Sequence, residues 1–181
     1  MTRRPALFLD RDGVINIDHA YVCKKENFEF VDGIFDLCKR AINLGCRIFV
    51  ITNQAGIGRG YYSEQDFLSL TDWMCEVFKS HDVLIDKVYF CPFHPEHGVE
   101  HYKQDSFYRK PNPGMILQAA KEFDVDLEKS FLVGDKETDI QAGVAAGIGS
   151  NILYESRPLE LMPSSQATAI VNSLRHVKLT H

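Results

Sequence analysis

No stretch of the 181 residues approaches the roughly 20 consecutive apolar side chains that a bilayer-spanning helix needs. The first apolar segment, Pro5 to Leu9, runs straight into Asp10-Arg11-Asp12, so it offers no signal-peptide core, and a cytoplasmic location is expected. A basic excess is also missing. Twenty Lys and Arg against 25 Asp and Glu give a formal charge of −5, which disfavours nucleic acid or an anionic membrane as the main partner. A small anionic ligand would therefore need a local positive site. Paired cysteines are lacking too: Cys23, Cys38, Cys46, Cys75 and Cys91 are odd in number and scattered through apolar surroundings, as reduced, packed thiols are. Internal repeats and low-complexity segments are absent. What is there is 45% hydrophobic residue in a chain long enough for one sizeable core and short for two, so a single domain over 1–181, acting as a monomer, is expected.

Short β-rich runs alternate with helical patterns, the sequence form of an α/β fold in which helices cover a central parallel sheet. Ala6-Leu7-Phe8-Leu9-Asp10 reads as the first strand. Ile34, Leu37, Cys38, Ala41 and Ile42 recur at helical spacing behind a candidate Asp32 cap, with Gly45 closing that helix. Arg47 to Thr52 is the second strand, Ser63 caps a helix carrying Phe67, Leu70, Met74, Val77 and Phe78, and Asp86 to Cys91 is the third strand. Asn112-Pro113-Gly114 opens a further helix. Phe131 to Asp135 is the fourth strand, 140–146 a short helix ended by Gly147, and Ile152-Leu153-Tyr154 the fifth strand. Beyond that the pattern weakens to a loop over 157–167, a small edge strand at Ala169-Ile170-Val171 and a final helical turn.

Ligands of an open parallel sheet sit beyond the carboxyl ends of its strands. Asp10, Thr52 and Asp135 occupy those ends. Carboxylates converging there would push one another's pKa up unless a cation lay among them, and an all-oxygen set suits Mg²⁺ completed by water and a substrate phosphate oxygen. With charge so neutralised, Asp10 could attack phosphorus as nucleophile while Asp12, two residues on, protonates the leaving oxygen. The Thr52 hydroxyl, the amides after it and the Lys110 ammonium would hold the equatorial phosphoryl oxygens.

Asp10-Arg11-Asp12-Gly13, the Thr52 strand end, Lys110 before a helix, and Gly134-Asp135-Lys136 with Asp139 together resemble the haloacid-dehalogenase-like (HAD-like) phosphatases. The resemblance spans a core of about 6–154 and leaves 155–181 uncovered. It implies a three-layer α/β/α Rossmann-like fold without a large cap domain. Finer features are similar to the branch that hydrolyses D-glycero-D-manno-heptose 1,7-bisphosphate at C7, a step toward the ADP-heptose of the lipopolysaccharide core. These are Phe8 to Asn16, Asp18-His19-Ala20-Tyr21, Thr52 to Gly60, Arg109 to Met115 and Val133 to Lys136. The resemblance implies Asp10 and Asp12 as nucleophile and acid, and Asp10, the Asp12 carbonyl and Asp135 as Mg²⁺ ligands. It also implies Thr52 and Lys110 as phosphoryl stabilisers, and Asp18, His19, Ala20, Tyr21, Asn53, Gln54, Ala55, Arg109 and Lys136 as substrate contacts. A guanidinium at Arg109 can clasp a second phosphate bidentately. Histidinol phosphate or another small sugar phosphate is the alternative substrate, and a silent sugar-phosphate binding protein the non-enzymatic alternative. A nucleophile set beside an acid speaks against the latter.

The chain departs from that family in one respect. The Cys-x-His and Cys-x-Cys positions of the family's structural zinc read Cys91, Phe93, Ser106 and Tyr108 here. Phe, Ser and Tyr cannot supply the thiolate or imidazole of a closed tetrahedral site, so zinc is not expected, and Phe93, Phe107 and Tyr108 are expected to pack the long loop instead. Cys91 with His94, His97 and His101 fits no standard zinc spacing. Two readings stay open at this level. Asp139 is either a partner of the metal ligands or a helix cap. The Gln54 to Gly60 run is either a flexible loop or a phosphate cradle built from free amides.

Overall fold

The computed structural model describes residues 3–155 and 164–180. Six parallel strands form one sheet: β1 (Ala6–Leu9), β2 (Arg47–Asn53), β3 (Lys87–Cys91), β4 (Phe131–Gly134), β5 (Ser150–Tyr154) and β6 (Ala169–Val171), in the spatial order β3-β2-β1-β4-β5-β6. β1 pairs with β2 on one side, Phe8 opposite Phe49, and with β4 on the other, Phe8 opposite Leu132. The chain thus winds outward in opposite directions from β1, and the gap between the ends of β1 and β4 is the switch point at which such sheets bind ligands.

The strands are apolar on both faces because helices cover both, as parallel sheets require. Leu7, Leu9, Ile48, Val50 and Val133 pack with α1 (Ile34–Asn43) and with Leu70, Met74 and Phe78 of α3 (Glu64–Ser80). Ala6, Phe8, Phe49, Ile51 and Leu132, offset by one residue, face Met115, Ile116 and Ala119 of α4 (Gly114–Phe123) and Ile140 and Ala142 of α5 (Glu137–Ala146). Ser63 caps α3 as expected, in a reciprocal box with Asp66. Asp32, the candidate cap of α1, does something else. Gly33 holds the cap position at φ +86°, and the Asp32 carboxylate takes a two-pronged ion pair from Arg175.

That pair belongs to a C-terminal strap that carries the expected edge strand and final turn. Residues 164–180 add β6 in parallel to β5, then cross to α1, where Leu174 and Val177 are buried and Arg40 donates to the carbonyls of both. The final helical turn is a single 3₁₀ turn, Leu174–His176. Most of the loop expected over 157–167 lies outside the described residues. Among the described residues no helix is long and apolar enough to cross a membrane.

Candidate active site

Asp10 follows the last residue of β1 and Asp135 the last of β4, so two neighbouring strands deliver them to one edge. Gly13, at φ +97°, lets the intervening turn fold back. A Cβ there would overlap the Asp135 carboxylate. Lys110 enters from the loop before α4 and is 4% exposed. Its Nζ lies 2.8 Å from Asp10 Oδ1, 2.7 Å from Asp139 Oδ1 and 2.9 Å from the Ile51 carbonyl. Asn53 fixes the Lys110 main chain on both sides, accepting its amide and donating to its carbonyl at 3.0 Å each.

Asp139 takes the helix-cap role, one of its two sequence readings, and adds an ion pair. Its Oδ2 accepts the amides of Asp135 and Lys136 at 3.1 Å, capping the start of α5, while Oδ1 holds Lys110. Three carboxylates thus gather beside one buried ammonium, which touches two of them. Burial, then Asp139 and Asp135, push the Asp10 carboxyl well above the ordinary carboxylate range against the pull of Lys110. Asp135 is pushed up to about 6, chiefly by burial with Asp139 adding, while Lys136 opposes the shift. Burial alone would lower Lys110, but the two carboxylates outweigh it and hold the ammonium protonated above its usual value.

Oxygen atoms of Asp10, Asp135 and Asp139 lie within 4.8 Å of one another, and Asp135 Oδ1 is buried without a hydrogen-bond partner. A concentrated set of hard oxygen donors with one lone pair unsatisfied fits a divalent cation such as Mg²⁺.

This charge excess sets a stability prediction. Because the folded carboxyls bind protons more tightly than unfolded ones, the folded state carries more protons from about pH 4 up to the raised values, near 6 for Asp135, and stability falls as pH rises through that window. Metal-free protein is expected to lose melting temperature between pH 4.5 and 7. The loss should shrink in Asp135→Asn and in saturating Mg²⁺. Superimposable pH profiles for wild type and variant would contradict the electrostatic assignment.

Asp12 lines the same cleft, and both of its oxygens are held. Oδ1 accepts Arg11 Nη2 at 2.8 Å and Asn16 Nδ2 at 3.1 Å, and Oδ2 accepts Gln54 Nε2 at 2.9 Å. The same Gln54 nitrogen donates to Thr52 Oγ1 at 2.8 Å, and Tyr62 donates to Gln54 Oε1 at 2.5 Å, which fixes the way the amide faces. Tyr62 carries no sequence signal. Burial pushes its hydroxyl pKa up, so it remains a donor. The Gln54 to Gly60 run is neither loose nor a plain loop: α2 (Ala55–Gly58) is a single helical turn with Gly56, Ile57 and Gly58 buried.

The cleft encloses about 500 Å³. Asp18, Ala20 and Tyr21 form one wall, Asn53, Gln54 and Ala55 another, and Arg109 and Lys136 stand with Lys110 as its cations. Asp18 accepts the Ala20 amide in a tight turn that carries Ala20 and Tyr21 at φ +60° and +55°, and Lys136 Nζ reaches Asp18 at 3.6 Å. Three expected residues are not on the wall, Asp135 among them, which lines the neighbouring cavity beside Gly13. Thr52 is 1% exposed behind Gln54. His19 points to an adjoining cavity and lies 3.4 Å from Glu29.

Where the family's zinc would sit, Cys91 is buried, and its thiol is bonded to Ser106 and raised by burial. His94 Nδ1 accepts the amides of Glu96 and His97, and the His101 ring packs tilted against Tyr102, centroids 4.0 Å apart. Phe93 packs near Tyr102, centroids 6.0 Å apart. Phe107 and Tyr108, expected to fill the loop, are instead 57% and 45% exposed, because the turn at Ser106 directs them outward.

A HAD-hydrolase-like family model matches residues 107–177. A D-glycero-alpha-D-manno-heptose-1,7-bisphosphate 7-phosphatase of Burkholderia mallei is 57% identical over 95% of this chain and 90% of its own length. A D-glycero-beta-D-manno-heptose-1,7-bisphosphate 7-phosphatase of Escherichia coli K12 is 43% identical over 94% and 90%. The solved structure of a D,D-heptose 1,7-bisphosphate phosphatase from B. bronchiseptica, complexed with magnesium and phosphate, superposes with a TM-score of 0.80 at 27% identity, covering 94% of this chain and 93% of that one. With this fold, these strand-end carboxylates and relatives alike over nearly their whole length, the chain belongs to the D-glycero-D-manno-heptose-1,7-bisphosphate 7-phosphatase family of HAD-like hydrolases.

Proposed function

We propose that the chain is a Mg²⁺-dependent phosphatase that removes the C7 phosphate of D-glycero-D-manno-heptose 1,7-bisphosphate in the supply of ADP-heptose for the lipopolysaccharide core. The observation that carries this reading is the gathering at one sheet edge of Asp10, its ion pair with buried Lys110, and the oxygens of Asp135 and Asp139 within 4.8 Å of one another. Asp10 attacks the C7 phosphorus. The bond from phosphorus to the sugar oxygen breaks, Asp12 supplies the proton to that oxygen, and an aspartyl-phosphate remains on Asp10. Asp12 then takes a proton from water, which attacks the aspartyl-phosphate, releasing inorganic phosphate and restoring Asp10.

Asp10, the Asp12 carbonyl and Asp135 would hold Mg²⁺, which when bound offsets negative charge on the nucleophile and the phosphoryl oxygens. Lys110 stabilises the transferring group, whereas the Gln54 main-chain amide just past Thr52 is spent on the Cys91 carbonyl. Thr52 itself acts through the Gln54 amide it accepts. Arg109 and Lys136 meet the anionic substrate, with Asp18, Ala20, Tyr21, Asn53, Gln54 and Ala55 shaping the cleft around the sugar. The enzyme works as a cytoplasmic monomer of one domain over 1–181, whose strap at 164–180 completes the sheet and covers α1.

The substrate assignment is tested by kcat/KM for the α and β anomers of the heptose bisphosphate and for histidinol phosphate. At least a roughly tenfold preference for a heptose bisphosphate is expected, since losing the second phosphate removes a charge-assisted contact at Arg109. Preference for histidinol phosphate would overturn the assignment. The greater identity to the relative named for the α anomer supports a preference for that anomer.

A further inference from the structure

Arg11 is the largest fully buried side chain among the described residues, at 1% exposure. Its guanidinium carbon lies 5.9 Å from the centroid of Phe28 and 5.7 Å from that of Phe67, and Nε and Nη1 have no hydrogen-bond partner. Only Nη2 is engaged, and it is engaged twice: 2.8 Å to Asp12 Oδ1 and 2.7 Å to the carbonyl of Val22. The two rings attract the cation, but two of its buried nitrogens are left without partners, a cost that an apolar side chain filling the same space would avoid. Packing therefore does not account for an arginine here.

The two acceptors explain it. Asp12 lies in the turn after β1, and Val22 directly follows the Asp18–Tyr21 turn, whose two non-glycine residues in left-handed backbone must be held by their surroundings. One nitrogen therefore joins the turn bearing the acid to the loop forming the substrate wall. Asn16 strengthens the junction, because its side chain donates to the same Asp12 oxygen and to the Ile17 carbonyl, one residue before that loop.

We propose that Arg11 is a positioning residue that ties the Asp12 carboxylate to the 18–22 loop, so that the acid and the substrate wall are set as one unit. This inference rests on Asp12 being the acid that protonates the leaving oxygen. A sugar alkoxide needs that proton whereas p-nitrophenolate departs without it, so a fault in positioning Asp12 slows phosphoryl transfer to Asp10 from the first substrate and not from the second, while the later water step is common to both.

The test measures, for Arg11→Met and Arg11→Lys, the single-turnover rate of leaving-group release, which reports phosphoryl transfer to Asp10 alone, from the heptose bisphosphate and from p-nitrophenyl phosphate. Arg11→Met is expected to lose about 100-fold on the sugar and no more than about threefold on the aryl ester, and Arg11→Lys, which keeps the charge, about tenfold on the sugar alone. Equal losses on the two substrates, or none, would overturn the inference. Asp12→Asn separates the two claims. If it too loses equally on both substrates, the acid assignment fails; if it discriminates while the Arg11 variants do not, only the Arg11 inference fails. A second readout needs no Arg11 variant to fold. In Asp12→Asn the loss of the charge partner should free the loop, and amide hydrogen exchange over 19–22 is expected to quicken by about tenfold. Unchanged exchange there would also overturn the proposal.

Discussion

Asp10→Asn is expected to abolish turnover, with kcat falling by on the order of 10⁴ or more, while the protein stays folded. An amide oxygen is too poor a nucleophile to open a phosphate ester, and no other carboxylate can replace it. Asp139 is committed to Lys110 and two amides, and Asp12 is held by Arg11, Asn16 and Gln54. Folding should survive for an electrostatic reason. At neutral pH the metal-free site confines three carboxylates beside one ammonium, and the burial that raises the Asp10 pKa is a penalty on its charged form in the folded state. Removing that charge relieves repulsion, so the variant's metal-free melting temperature at pH 7.5 should equal or exceed that of wild type. Retained activity, or a collapse in stability, would contradict the role assigned to Asp10.

Lys110→Met is expected to damage both activity and stability. Methionine keeps much of the volume of the stem but leaves Asp10 and Asp139 without the cation that each contacts at less than 3 Å. Breaking a buried pair from one side costs about 3–5 kcal/mol, so the melting temperature should drop by many degrees, in the direction opposite to Asp10→Asn. Part of the loss should return in Mg²⁺, because a bound cation supplies some of the missing positive charge. kcat should remain about 10²- to 10³-fold down at saturating Mg²⁺, since the transferring phosphoryl group has lost a preorganised donor. Lys136→Met is the contrasting case. Its side chain is 59% exposed, so stability should change little and the loss should fall mainly on KM. If the two lysine variants behaved alike, the distinction between a buried clamp and a substrate contact would fail.

Much of this site is legible in the sequence because its parts stand at the ends of strongly patterned elements. Leu7 and Leu9 on one face and Ala6 and Phe8 on the other define β1 without ambiguity, which fixes Asp10 just past its end, and the same holds for β4 and Asp135. The parallel order then brings the two together. What could not be read are relations carried by long-range contacts. Asp139 was ambiguous because its two oxygens do different things, and only the fold places Lys110 beside one of them. Arg11 reads as an ordinary charge between two aspartates until Phe28 and Phe67 close over it. Tyr62 has no spacing that announces it, since it reaches Gln54 only after α2 turns the chain back. Asp32 is a good cap by type and position, yet Arg175, more than 140 residues away, claims it. The strap at 164–180 was legible in part: the edge strand at 169–171 and the final turn read from the sequence, but not their crossing to α1 through Arg40 and Asp32, because short strands and single turns carry too few residues to show where they dock.

The central claim is that the phosphoryl group passes through Asp10, and acid quench during turnover tests it most directly. With Mg²⁺ and substrate labelled at the C7 phosphorus, label should appear on the peptide that contains Asp10, chase into inorganic phosphate on adding unlabelled substrate, and be absent in Asp10→Asn. Phosphate release at the full rate with no labelled protein, or label on a peptide lacking Asp10, would contradict the account.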